Sequence, residues 1–157
     1  MVNRDAVDKI VPLHQSLTTG EAVSTSAKGG KILIADDDRI VRSVCARLLE
    51  TEGWEVSEAQ SGEEALAKLS VNYDVVLLDL YMPGLSGIET LPKIKAIAPY
   101  TQVVVASGTD HPRDGAAAIK SGAFDFISKP IQKTELLETT ARARQATLAL
   151  RPNVRQA

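Results

Sequence analysis

Residues 75–79 read Val75-Val76-Leu77-Leu78-Asp79: four apolar residues in a row, then a carboxylate. An apolar run this short, without polar alternation, is the pattern of a strand covered on both faces, as in a parallel sheet. Similar runs occur at Lys31-Ile32-Leu33-Ile34-Ala35, at Val103-Val104-Val105-Ala106 and at Phe124–Ser128, while Trp54–Ala59 alternates as a second strand. Helical spacing fills the intervals. Ile40, Val41, Val44, Cys45, Leu48 and Leu49 form one apolar stripe, stopped by Gly53. Ser61 caps a second helix whose first turn carries Glu63 and Glu64 and whose inner face is Ala65, Leu66 and Leu69. After a loop at residues 84–87, Ile88, Leu91, Ile94 and Ala98 mark a third helix, with a kink possible at Pro92. Ala116–Lys120 is the clear part of a fourth, and Leu136, Leu137, Thr140 and Ala141 mark a fifth. Strand and helix alternate five times. The expected fold is α/β, a doubly wound five-stranded parallel sheet with helices on both faces.

Composition agrees and excludes several function classes. The chain has 157 residues, 44% of them hydrophobic and only 4% aromatic, so its core is built from Val, Ile, Leu and Ala. Lys and Arg number 18 against 20 Asp and Glu, a net charge of −2. Such a balance gives no electrostatic footprint for nucleic acid and none for an anionic membrane surface. No run reaches the ~18 apolar residues of a membrane span. Residues 1–29 lack a signal peptide's apolar stretch and read as an N-terminal extension and linker. The helical spacing of Val7, Ile10, Val11 and His14 predicts a short amphipathic helix there, interrupted by Pro12. The lone cysteine, Cys45, permits no internal disulfide, which fits a reducing cytoplasm, and its place on an apolar stripe marks it as core packing.

In a parallel sheet of this kind the ligand site lies beyond the carboxyl ends of the strands. Asp36, Asp37 and Asp38 follow the first strand, Asp79 ends the third, Ser107 follows the fourth, and Lys129-Pro130 follows the fifth. Any one of these acids alone would pass for a helix cap, and Asp38 reads as one. Their joint appearance on one rim does not. Two carboxylates ~4 Å apart repel by about 4 kcal/mol at an effective dielectric near 20. Either one is protonated or a cation sits among them. An all-oxygen donor set with few protein ligands suits Mg²⁺, which keeps several waters and pairs with phosphate. Lys129 supplies a positive charge and Ser107 a hydroxyl for phosphoryl oxygens, and an Asp carboxylate is a phosphoryl acceptor.

The segments Ile32–Asp38, Val75–Gly84, Ser107-Gly108 and Ser128-Lys129-Pro130 together resemble the receiver domains of two-component response regulators. The resemblance covers residues 30–148 and leaves 149–157 as a C-terminal tail. It implies a flavodoxin-like fold and Asp79 as the phosphoacceptor. Asp36 and Asp37, with the backbone carbonyl of Tyr81, would organise Mg²⁺. Ser107 would be the switch hydroxyl, Lys129 the phosphoryl-binding lysine on a cis Lys129–Pro130 bond, and Phe126 the aromatic switch position. Tyr81 and Thr109 would occupy the two positions that tune dephosphorylation, and a bulky Tyr81 is expected to shield the phosphoryl group. Serine and phenylalanine stand at 107 and 126, where threonine and tyrosine are common in the family. Any coupling through Phe126 must then be ring packing alone.

The implied partners are a histidine kinase as donor and, downstream, a protein effector controlled through the face made by the fourth helix, the fifth strand and the fifth helix. The alternatives are a relay to a histidine phosphotransfer protein and a scaffold that no longer signals. A homodimer is possible. The chain ends soon after the fifth helix, so a stand-alone, non-enzymatic receiver is expected. A haloacid-dehalogenase-like phosphatase fits poorly: its nucleophile follows the first strand with a second Asp two residues on, whereas Asp79 follows the third and Tyr81 stands two residues on. His14, without a phosphotransfer motif, reads as a solvated or helix-packing histidine, and His111, before Pro112, as a surface turn residue. Trp54 reads as half-buried packing, and Arg142, Arg144, Arg151 and Arg155 as a solvated helix face.

Overall fold

The computed structural model describes residues 29–108 and 112–152. The expected helix near Val7, and Thr109, His14, His111 and Arg155, lie outside the described residues. The strands are β1 Gly30–Ala35, β2 Trp54–Ala59, β3 Val75–Asp79, β4 Gln102–Ser107 and β5 Asp125–Ser128. The helices are α1 Arg39–Thr51, α2 Gly62–Lys68, α3 Gly87–Ile97, α4 Pro112–Lys120 and α5 Lys133–Leu150. One five-stranded sheet runs in the order β2-β1-β3-β4-β5, with every pairing parallel. The chain steps outward one way from β1 to β2, then crosses back to β3 and outward the other way. The point of reversal lies between β1 and β3, where a crevice opens at the strands' carboxyl ends.

Side-chain alternation sorts the core into two layers. Leu33, Ala35, Val76, Leu78, Val103 and Val105 face one side, with Ala65 of α2, Leu91 and Ile94 of α3 and Ala118 of α4. Ile32, Ile34, Val75, Leu77, Val104 and Ile127 face the other, with Cys45 and Leu49 of α1 and Leu136 and Ala143 of α5. Every residue of β3 is buried, as its unbroken apolar run requires.

Several helices differ from the expectation in detail. On α1, Ile40 and Val44 are exposed, and the inward positions are Cys45, Ala46 and Leu49. The stripe is wider than the surface it packs against. On α5, Ala141 is exposed and Thr139, Ala143 and Thr147 are buried instead. Helix α3 starts at Gly87 behind a capping box, in which the Ser86 hydroxyl accepts from the Glu89 N–H and the Glu89 carboxylate accepts from the Ser86 N–H. It runs unbroken through Pro92 to Ile97. Burial of Leu91 and Ile94, worth roughly 1.5–3 kcal/mol each, offsets the proline's cost of about 3 kcal/mol.

Arg144 and Arg151 do not form a solvated face. Both reach Asp74 at the amino end of β3, Arg151 at 2.9 Å and Arg144 at 3.6 Å. Arg142 does stay at the surface, 3.1 Å from Asp125. Trp54 is buried rather than half-buried, its ring closed over by Gly29.

Candidate functional site at the carboxyl ends of the strands

The register of the sheet aligns the rim. Ala35 pairs with Leu78 and Asp79 with Ala106, so Asp36 continues β1 alongside Asp79, and Ser107 lies one step beyond it on β4. Ser107 pairs with Ser128, which delivers Lys129 to the same edge. The Lys129 N–H donates to the Ser107 carbonyl at 2.7 Å, and the Lys129–Pro130 bond is cis.

Carboxylate oxygens of Asp36, Asp37 and Asp79 all lie within 4.8 Å of one another. Asp36 and Asp79 are buried and Asp37 is exposed. Lys129 Nζ stands 2.8 Å from Asp36 Oδ2 and 3.5 Å from Asp79 Oδ1. The Lys129 ammonium therefore answers Asp36 and Asp79, while Asp37 adds a third carboxylate beside them. Burial is the main reason that the Asp79 carboxyl is pushed up to about 6. Asp36 adds to the shift, Lys129 and the Tyr81 N–H oppose it, and Asp37 raises it further. Burial works against the charge on Lys129, but Asp36 and Asp79 outweigh it and hold that pKa above the ordinary lysine range. The cluster has an excess of negative charge and only oxygen donors. Asp36, Asp37 and Asp79 could hold a small divalent cation, and that would relieve the excess.

Asp38, Arg42 and Gly87 set the shape of the rim. The Asp36 Oδ1 accepts from the Asp38 N–H at 2.8 Å, and Asp38 in turn caps α1 by accepting from the Ile40 N–H at 2.9 Å. Arg42, one turn into α1, donates to the Asp36 carbonyl at 2.8 Å and to Glu58 at 3.1 Å, fixing the acidic loop from below. At Gly87 a Cβ would overlap the Asp79 carbonyl oxygen and the Leu80 Cα, so only glycine lets α3 start this close to the end of β3. Sequence reading missed Arg42 and Gly87. A basic residue one turn after a capping Asp, and a glycine inside a capping box, were the available signals.

The remaining candidates are distributed around this centre. Ser107 is fully buried at the end of β4. Phe126 is partly buried on β5 and packs on the core layer of α2, α3 and α4. Tyr81 is exposed, and its N–H donates to Asp79 Oδ1 at 3.3 Å. Cys45 is buried beneath the site, and burial pushes its thiol up to about 11, which leaves it inert. Among the described residues no helix is long and apolar enough to cross a membrane.

Comparison with known proteins agrees with this geometry. The family described as response regulator receiver domain matches residues 32–141. A cyclic di-GMP phosphodiesterase of Thermotoga maritima is 42% identical over 100 residues, covering 64% of this chain and 27% of that protein. The nitrogen assimilation regulatory protein NtrX of Azorhizobium caulinodans is 38% identical over 128 residues, covering 80% of this chain and 28% of that protein. The chain thus spans about a quarter of the length of these two relatives. A crystal structure of a response regulator receiver domain protein from Clostridium thermocellum superposes with a TM-score of 0.73 at 33% identity, covering 78% of this chain and 99% of that one. With the family matched across the whole rim and the same doubly wound sheet in its solved relatives, this chain belongs to the response regulator receiver domains.

Proposed function

We propose that residues 30–148 form a phospho-accepting switch in which Asp79 takes a phosphoryl group from a histidine kinase. The observation that carries this reading is the cluster of Asp36, Asp37 and Asp79, with the Lys129 ammonium set against Asp36 and Asp79. An Asp79 oxygen attacks phosphorus, and the P–N bond of the donor phosphohistidine breaks. Its electron pair stays on the imidazole nitrogen, which takes a proton from solvent. The oxygen donors and excess negative charge fit Mg²⁺, which Asp36, Asp37, Asp79 and the Tyr81 carbonyl would hold. Bound there, the ion would neutralise charge on the transferring group. Lys129 and Ser107 bind phosphoryl oxygens through charge-assisted hydrogen bonds.

Output is a population shift of the face formed by α4, β5 and α5, in which Phe126 takes part by packing and through which a partner protein is controlled. Moving from 1:99 to 99:1 needs about 5.5 kcal/mol of differential stabilisation, and new bonds from Ser107 and Lys129 supply part of it. Tyr81 and Thr109 modulate the lifetime of the phosphorylated form. The chain accepts phosphoryl groups without being a turnover enzyme. It acts in the cytoplasm, a reading supported by its single, buried cysteine.

The test is intact-mass measurement after incubation with Mg²⁺ and acetyl phosphate. Wild type gains one phosphoryl group, while Asp79→Ala, or wild type without Mg²⁺, gains none. A folded wild type that takes no phosphoryl group and does not respond to beryllofluoride would sink the reading.

A further inference from the structure

Tyr81 touches the candidate site with its backbone and a different element with its side chain. Its N–H donates to Asp79, while its hydroxyl donates to Asp114 Oδ2 at 3.0 Å. Asp114 lies in the first turn of α4. The bridge thus runs from the loop after β3 to the helix after β4, across the strand pair whose ends carry Asp79 and Ser107. The next residue, Gly115, meets β5. A Cβ there would lie 3.3 Å from two carbons of the Phe126 ring, so ring and helix backbone are in close approach. The first turn of α4 is therefore held on one side by the loop that carries Asp79's neighbours and on the other by Phe126.

We infer that Asp114 is a positioning residue: by accepting the Tyr81 hydroxyl it ties α4 to the acceptor loop, so that α4 and the cover over Asp79 move as one. This rests on the reading of Asp79 as the phosphoacceptor. With the bridge closed, Tyr81 is held at the mouth of the site and water reaches the acyl phosphate less often. With it open, α4 and the loop move independently.

The test uses Tyr81→Phe, which keeps the ring and loses the hydroxyl, Asp114→Ala, the double variant and Asp114→Asn. Each protein is phosphorylated with acetyl phosphate, and loss of the phosphoryl group is followed after the donor is removed. Amide hydrogen exchange of α4 is measured in parallel on the unphosphorylated proteins. Tyr81→Phe and Asp114→Ala each shorten the lifetime about three- to tenfold, the effect of one lost hydrogen bond. The double variant is no faster than the faster single, because both remove the same bond. Asp114→Asn, which keeps an acceptor oxygen, recovers most of the lifetime. Exchange in α4 rises in both single variants. Lifetimes equal to wild type, effects that multiply in the double variant, or unchanged α4 exchange would each overturn the bridge while leaving Asp79's role intact. A wild type that takes no phosphoryl group would instead overturn the reading of Asp79, and this role with it.

Discussion

Strand β3 has a buried aspartate just before its first residue and another as its last, and the two are treated oppositely. Asp74 and Asp79 are 7% and 5% exposed. Asp74 accepts the Lys31 N–H at 3.0 Å and faces two guanidiniums, Arg151 and Arg144. Around it Arg151 also donates to the Val71 and Tyr73 carbonyls, and the Thr147 hydroxyl donates to the Asp74 carbonyl. Its charge is more than answered, and the end of α5 is clamped to the amino edge of the sheet. Asp79 instead shares one lysine with Asp36, and Asp37 crowds the same cluster. The residue type and the burial are the same at both ends of the strand; what differs is whether the fold completes the charge balance. Where it is completed the acid is structural. Where it is left open, the acids have the excess negative charge that the proposed switch needs.

Breaking the balanced end should have the larger effect on stability. Asp74→Ala leaves two guanidiniums facing each other without their anion and removes the acceptor of the Lys31 N–H. The arginine side chains are about a quarter exposed, at 26% and 28%, so the expected loss is at the low end for a broken buried pair, about 2–3 kcal/mol in urea denaturation. A loss under about 0.5 kcal/mol, the level of an ordinary surface substitution, would mean that the two ends are not opposites.

At the open end the sign reverses. The Asp79 carboxyl loses its proton at about 6 in the fold against 3.8 ordinarily, so the folded state binds more protons between those values and stability falls as pH rises through them. Asp79→Asn removes that loss. Without Mg²⁺ it should stabilise the protein by on the order of 2 kcal/mol near neutral pH, with the gain gone below about pH 4. Thermal melts across pH check this, and a destabilised variant at pH 7 would show that Lys129 alone already satisfies the cluster.

The smallest effect sharpens the contrast with Asp74. Arg142 pairs with Asp125 at 3.1 Å on the exposed side of α5, and Arg142→Ala should change stability by no more than about 0.5 kcal/mol. A larger cost in the same denaturation series would mean that guanidinium pairing on α5 matters regardless of burial.

Much of the fold was legible because its signals are local. An unbroken apolar run such as Val75–Leu78 announces a strand covered on both sides, and Asp38 and Ser61 announce helix starts, as their hydrogen bonds bear out. The rim residues were legible for a related reason: each stands directly after a strand, and parallel strands bring all those positions to one edge. Less was legible about helix faces. Ile40 and Val44 fit the apolar stripe of α1 as well as Cys45 and Leu49 do, yet only the latter pair meets the sheet. Periodicity gives the direction of a face but not the width of what it packs against.

The sequence by itself determined the order of strands and helices, the parallel sheet and the placement of Asp36, Asp37, Asp79, Ser107 and Lys129 on its rim, because those follow from spacing over a few residues. Only the tertiary structure decided which charges answer which. Arg151 finds Asp74 across 77 residues, and Tyr81 finds Asp114 across 33. Gly87 is needed only because the Asp79 backbone passes within reach of its missing side chain. The strength of a charge or hydrogen bond depends on distance and burial in three dimensions, and neither is carried by sequence spacing.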